Sequence, residues 1–313
     1  MEHGKPASYI ALHESGELAA RAAAARKLLK ACSLCPRRCA VDRSEGQRGL
    51  CRTGVRAVVA SYDAHFGEEA PLVGRRGSGT IFFSFCNLGC IFCQNYDISH
   101  EGAGRPVDDR ELADMMLALQ HAGCHNINFV TPSHVVPQIL GALEIAAARG
   151  LRVPLVYNTS GYERVRTLRL LEGVIDIYMP DFKFWDPETA KRLTGAADYP
   201  ECTRRAIREM HRQVGDLVLD AAGVARRGLL VRHLVMPAGL AGTREVMTFI
   251  AGEISADTYV NIMGQYRPCG RAAEVKALAR PLRHAEFQET LRMARRAGLR
   301  RLDRPRRVFA VEF

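Results

Sequence analysis

From residue 56 onward, short apolar runs and longer amphipathic stretches alternate along the chain. The runs at 80–85, 126–130, 153–157, 174–179, 229–236 and 258–263 are rich in Val, Ile, Phe and Tyr, with turn residues nearby, as buried strands are. Helical patterns lie between them. Asp108 suits an N-cap, with Glu111 three residues on and Leu112, Met115, Met116 and Leu119 on the apolar face. Residues 134–149 and 163–172 each run into a glycine, Gly150 and Gly173, placed for a left-handed C-cap. Residues 187–213 and 243–253 supply two further helical stretches. Alternating strands and helices imply parallel strands with right-handed crossovers. Six such units predict an α/β fold built as a partial, TIM-like (β/α)6 barrel rather than the closed eight-stranded form. An open doubly wound sheet is the competing architecture, and no glycine-rich dinucleotide turn supports it.

The pattern changes upstream. Residues 14–31 are mostly strong helix formers, and a stretch with four cysteines follows to about residue 54. The expected division is an N-terminal helix and metal-binding segment at 1–55, the partial barrel at 56–280, and a basic C-terminal helix and tail at 281–313. Charge follows the same division. Of a net +10, residues 1–60 carry 11 Lys/Arg against 5 Asp/Glu and residues 280–313 carry 10 against 4, which leaves the middle near neutral. Basic ends can grip nucleic acid, but no aromatics interleave with the tail arginines to stack bases. A solvated, solubilising surface is therefore expected at both ends. No apolar segment approaches the roughly 20 residues of a membrane span, and the polar N-terminus lacks the core of a secretory signal. The 10 cysteines are mostly clustered, which fits metal ligation in a reducing compartment, by default the cytoplasm.

Two cysteine groups carry the chemistry. Cys86, Cys90 and Cys93 form a C-x3-C-x2-C triplet directly after the first apolar run. Three thiolates on one loop select a soft centre: zinc, copper(I) or an iron–sulfur cluster. Zinc normally closes with four ligands, so a zinc site here needs a distant fourth ligand such as His100. A [4Fe–4S] cluster on three thiolates instead keeps one iron open. The second group is Cys32, Cys35, Cys39 and Cys51, spaced C-x2-C-x3-C-x11-C. Four thiolates suit a closed zinc site or an iron–sulfur cluster equally, and a structural role is expected over electron transfer. Cys124, Cys202 and Cys269 stand singly and read as inert thiols, with Cys269 nearest to the expected cavity.

The triplet, with aromatic Phe92 before its last cysteine, resembles the radical S-adenosylmethionine (SAM) superfamily. The Cys-x-x-Cys-Pro-Arg-x-Cys head, the string His65-Phe-Gly-Glu-Glu69 and the run from Gly77 to Ser99 are similar to pyruvate formate-lyase activating enzyme homologues of the PflX type. That resemblance implies a [4Fe–4S] cluster whose open iron binds the amino and carboxylate groups of SAM. It implies a reductant such as flavodoxin or ferredoxin, and reductive cleavage to a 5′-deoxyadenosyl radical that abstracts hydrogen. The substrate is unknown; a glycine of a partner protein, as for an activase, is one expectation. An RNA-modifying radical SAM enzyme and a non-enzymatic zinc or iron–sulfur interaction protein are the rivals.

In parallel α/β folds functional groups gather at the C-terminal strand ends. By resemblance, backbone near Phe92 offers the adenine slot. Thr131-Pro-Ser133 occupies the place where many members carry Gly-Gly-Glu, and this chain lacks the glutamate. The Ser133 hydroxyl or carbonyls would then hold the methionine ammonium; Thr131 or Ser133 also suits the next helix's N-cap. Asn158 and Thr159, with Asp181 and Lys183, are similar to the activase strand ends that hold the ribose and carboxylate. Lys183 can neutralise the carboxylate, while Asp181 can accept from the ribose or bind a cation. His65, His134, His233, Gln265 and Tyr266 are further polar groups that can face the cavity, and none is assigned to proton transfer.

Overall fold

A computed structural model describes residues 6–303. All six expected strands form, as β2 (Ser78–Phe83), β4 (Ile127–Val130), β5 (Leu155–Thr159), β6 (Ile177–Pro180), β8 (Ala225–Leu234) and β9 (Tyr259–Met263). They pair in parallel in that order. Four strands extend the plan. β1 (Ala57–His65) runs antiparallel to β2, and β3 (Arg105–Val107) runs antiparallel to β1. β10 (Arg301–Leu302) adds a parallel pair to β9 at the other edge, and β7 (Val218–Leu219) pairs with β8. The order β3-β1-β2-β4-β5-β6-β8-β9-β10 leaves the barrel open. β1 escapes the apolar pattern because its second half is largely exposed. An antiparallel strand can keep one face in water.

The helices are α1 (Tyr9–Glu14), α2 (Glu17–Lys27), α3 (Ala70–Val73), α4 (Asp109–His121), α5 (Val136–Ala148), α6 (Val165–Leu170), α7 (Pro187–Thr194), α8 (Tyr199–Val214), α9 (Thr243–Phe249) and α10 (His284–Arg296). The Asp108–Glu111 capping box forms in full at α4. Two expectations are corrected. The stretch 187–213 is two helices, because Gly195 takes φ 66° and ends α7 with a left-handed cap. Neither Thr131 nor Ser133 caps α5, whose N-cap is Val135 with no side-chain bond. Residues 1–5 and 304–313, with the last arginines of the basic tail, lie outside the described residues.

The core lies between the sheet and its helices. Phe83 and Phe129, on neighbouring strands, stack at 6.2 Å, and Leu112, Met116, Ile139 and Leu143 are fully buried behind them. Burial of such side chains contributes about 1.5–3 kcal/mol each. α2 packs on α5 and so ties the N-terminal helices to the barrel. No helix among the described residues is long and apolar enough to cross a membrane.

Candidate active site

The C-terminal ends of β2, β4, β5, β6, β8 and β9 open onto one cavity of about 1090 Å³. Cys86, Cys90, Phe92 and Cys93 line it from the loop after β2, with Thr131, Asn158, Thr159, Asp181 and Lys183 from the next three strand ends. Ser133 is fully buried and does not line it.

Sequence-distant contacts hold the cysteine loop. Phe85, just before Cys86, sits at φ 69°, a left-handed conformation costly for an aromatic residue. Its N–H donates to the Ile98 carbonyl at 2.9 Å. Ile91 N–H donates to Leu193 O at 3.0 Å, and Asn87 Nδ2 donates to Tyr162 O at 2.8 Å. Arg37, from the cysteine-rich head, donates to Asn87 O at 3.0 Å and to Leu88 O at 2.9 Å. The thiols are engaged as well: Cys86 Sγ accepts from Leu88 N–H at 3.3 Å and Cys93 Sγ from the Ser99 hydroxyl at 3.1 Å. Burial pushes the Cys86 and Cys90 thiols above their usual range, so metal loading releases protons here.

Three soft donors beside a cavity of this size fit an iron–sulfur cluster with room left for a ligand. Among the described residues no three metal-ligating side chains are already drawn together on one point. Loading therefore requires the thiols to turn inward. His100, the fourth ligand of the zinc alternative, stacks on Tyr96 at 4.1 Å with its Nδ1 2.8 Å from the Ser99 hydroxyl.

Lys183 Nζ stands 2.6 Å from Asp181 Oδ2, and its backbone N–H donates to the Tyr199 hydroxyl at 2.9 Å. Burial disfavours the Lys183 charge, but the Asp181 carboxylate outweighs it and holds the ammonium protonated far above its ordinary range. The same charge acts on Cys90, pulling against the effect of burial.

The sequence gives little local sign of a second charged wall. Arg232, on β8, donates from Nε and Nη2 to the two oxygens of Glu69, both at 2.7 Å, and from Nη2 also to Glu68. Asn261 Nδ2 donates to Glu69 Oε1 at 2.6 Å. All four residues line the cavity. Burial pushes the Glu68 carboxyl up, yet Arg232 and the neighbouring His65 ring outweigh it and hold it at about 2. The other polar groups are structural or peripheral. His134 and His233 are buried against the Ser84 and Phe182 carbonyls, and burial lowers each to about 4. Tyr266 donates to the Leu278 carbonyl. His65 and Gln265 line the cavity; Cys269 does not.

Below the cavity, Glu163 is 2% exposed. Its Oε1 accepts from the hydroxyls of Ser133, Thr159 at 2.5 Å and Tyr157 at 3.3 Å, while Oε2 has no partner. This explains why Ser133 leaves α5 uncapped. Burial pushes Glu163 up to about 7, although the three hydroxyls pull the other way. A carboxyl raised from 4.5 in the unfolded chain to about 7 when folded contributes stability below pH 4.5 that is lost as pH rises through 7. Glu163→Gln should remove that dependence. Relative to the parent, it should gain roughly 3 kcal/mol between pH 4 and pH 8 in denaturant melts. Parallel pH profiles for the two proteins would contradict the assignment.

The Radical SAM superfamily model matches residues 80–221, which hold the cysteine loop and the strand ends through β6. Over 285 residues the chain is 32% identical to the uncharacterized protein MJ0674 of Methanocaldococcus jannaschii, covering 88% of this chain and 77% of that one. Among solved structures it is similar to native anSMEcpe with bound AdoMet, at TM-score 0.46 and 11% identity, covering 70% of this chain. The hexahistidine-tagged form of that protein with bound AdoMet gives TM-score 0.46 and 12% identity over 70% of this chain. The chain spans only 61% and 58% of those two proteins. By the family match over its cysteine loop and strand ends, the chain belongs to the radical SAM superfamily.

Proposed function

We propose that Cys86, Cys90 and Cys93 hold a [4Fe–4S] cluster, that SAM binds beside it in the cavity, and that the chain uses them to abstract hydrogen from a substrate entering the mouth. Superfamily membership implies both cofactors. When bound and reduced, they supply a 5′-deoxyadenosyl radical. One observation carries the reading: three soft thiols and a half-buried Asp181–Lys183 pair face a single cavity at the strand ends.

The residues divide the work. Lys183 attracts the SAM carboxylate, sharing its charge with Asp181, while the Thr159 hydroxyl and Asn158 amide offer hydrogen bonds to the ribose. Phe92, edge-on to Phe184 at 5.6 Å, fixes the backbone of the adenine slot. Ser133 acts indirectly, by holding Glu163 and Thr159. The cavity walls exclude water from the reacting atoms. The electron donor is of the flavodoxin or ferredoxin class. The similarity to activases supports a glycine of a partner protein as the substrate.

Anaerobic incubation of the loaded protein with SAM and dithionite tests the reading. Methionine and 5′-deoxyadenosine should appear in equal amounts. Fully loaded protein that forms no 5′-deoxyadenosine would overturn it. Lys183→Ala should weaken SAM binding at least about tenfold, as loss of a charge-assisted contact does, with iron and sulfide unchanged. Equal affinity in equilibrium dialysis would return Lys183 to a purely structural pair with Asp181.

A further inference from the structure

The cysteine-rich head holds a buried cation that no anion among the described residues matches. Arg43 is 1% exposed. Its guanidinium donates to the Gly54 carbonyl at 3.0 Å and 2.6 Å and to the His134 carbonyl at 2.9 Å. Its remaining neighbour of note is the Cys32 sulfur, 4.0 Å from Nη1. Among the described residues no carboxylate pairs with it. Carbonyl dipoles satisfy the N–H groups but do not neutralise the charge, and an unmatched buried charge is costly.

Four thiols lie around this cation, though they must turn inward to meet on one point. Cys32, Cys35, Cys39 and Cys51 line one small enclosed space together with Arg43. The backbone is built to bring them there. Cys32 N–H donates to Val41 O at 2.9 Å and Ala40 N–H to Cys32 O at 3.0 Å, which closes the loop bearing the first three cysteines. Arg38 and Ala40, on either side of Cys39, take φ 44° and 55°, and Arg52, after Cys51, takes φ 51°. Such left-handed turns are strained for side-chain-bearing residues and cluster where geometry is functional. The second segment crosses Cys39 at Gly49, where a Cβ would stand 2.6 Å from the Cys39 sulfur. The loop is fixed to the barrel by Arg164 and Thr167, each donating at 2.6 Å to the Ser33 and Leu34 carbonyls.

We propose that these four cysteines bind one zinc-type divalent ion as a tetrathiolate site, with Arg43 as its buried countercharge. A divalent ion with four thiolates is dianionic, the sign Arg43 lacks a partner for. The space between them is small, about 10 Å³. Turned inward, four thiolates suit one tetrahedral ion at about 2.3 Å from each sulfur. Through Arg37, the head also holds the Asn87 and Leu88 carbonyls of the barrel's cysteine loop, so the ion braces the loop that bears the other site. The proposal stands whether or not the barrel binds SAM.

The full chain carrying Cys86→Ala, Cys90→Ala and Cys93→Ala together isolates the head site. Purified with zinc, it should retain about one zinc per chain; with cobalt(II), it should show thiolate charge-transfer and tetrahedral ligand-field bands. Adding Cys51→Ser should abolish both signals. In competition with a chelator, Arg43→Met in the same background should bind zinc about tenfold more weakly, the scale of a lost charge-assisted contact. Folded triple variant without stoichiometric zinc or cobalt, or with iron and labile sulfide instead, would overturn the proposal. Unchanged zinc affinity in Arg43→Met would remove the countercharge.

Discussion

Alanine in place of any one of Cys86, Cys90 or Cys93 is expected to abolish dithionite-dependent cleavage of SAM, with loss of the barrel's iron and labile sulfide. The expectation rests on the donor count. Three cysteines of one loop line the cavity, and no other cysteine does. Removing one leaves two thiolates where a cluster with an open iron needs three. The fold should survive, because the loop is held by Arg37, Asn87, Phe85 and Ile91 through contacts that do not involve sulfur. Zinc at the head should be unchanged. A single variant that cleaves SAM at the parental rate would sink the assignment.

The second large effect is on stability. Arg232→Met should destabilise the protein by roughly 3–5 kcal/mol at neutral pH, since it strands two buried carboxylates. The Glu68 and Glu69 side chains are only 6% and 1% exposed, and Arg232 bridges both. The loss should depend on pH in a definite sense. Glu68 is held at about 2 in the folded state against 4.5 unfolded, so its contribution is present above pH 4.5 and fades as pH falls through 2. The gap between parent and variant should therefore narrow in acid. Glu68→Gln with Glu69→Gln should recover part of the loss in the Arg232→Met background. Melting temperatures measured from pH 3 to pH 8 report all three effects. A variant that melts with the parent at pH 7 would show that water, not Arg232, compensates the glutamates.

The clustered cysteines are legible in the sequence because they are local. C-x3-C-x2-C and C-x2-C-x3-C crowd their thiols into one loop each, and the apolar runs announce the six parallel strands around the cavity. Partners distant in the chain left no such mark. Arg232 meets Glu69 across 163 positions and Asn261 meets it across 192, so neither pairing has a period or spacing to betray it. Only the string His65-Phe-Gly-Glu-Glu69 drew notice. Glu163 looked like part of a helix start, whereas it lies under the cavity bound to three hydroxyls. The basic head misled in a different way. Its arginines read as solvated charge, yet Arg43 is buried and Arg37 spends its donors on the carbonyls of Asn87, Leu88, Thr194 and Gly195. Composition counts charges without saying which are turned inward. β1 escapes the pattern for the complementary reason: an antiparallel strand with one wet face lacks a continuous apolar run.

The central claim is that the three-cysteine loop leaves one iron open to SAM inside the cavity. It is tested most directly by the electron paramagnetic resonance of the reduced protein with SAM labelled at the amino nitrogen and the carboxylate oxygens. Hyperfine coupling from both labels to the cluster is predicted, and it should vanish in the Cys86, Cys90 and Cys93 variants. A fully loaded, reduced protein whose spectrum shows no coupling to either label would contradict the claim.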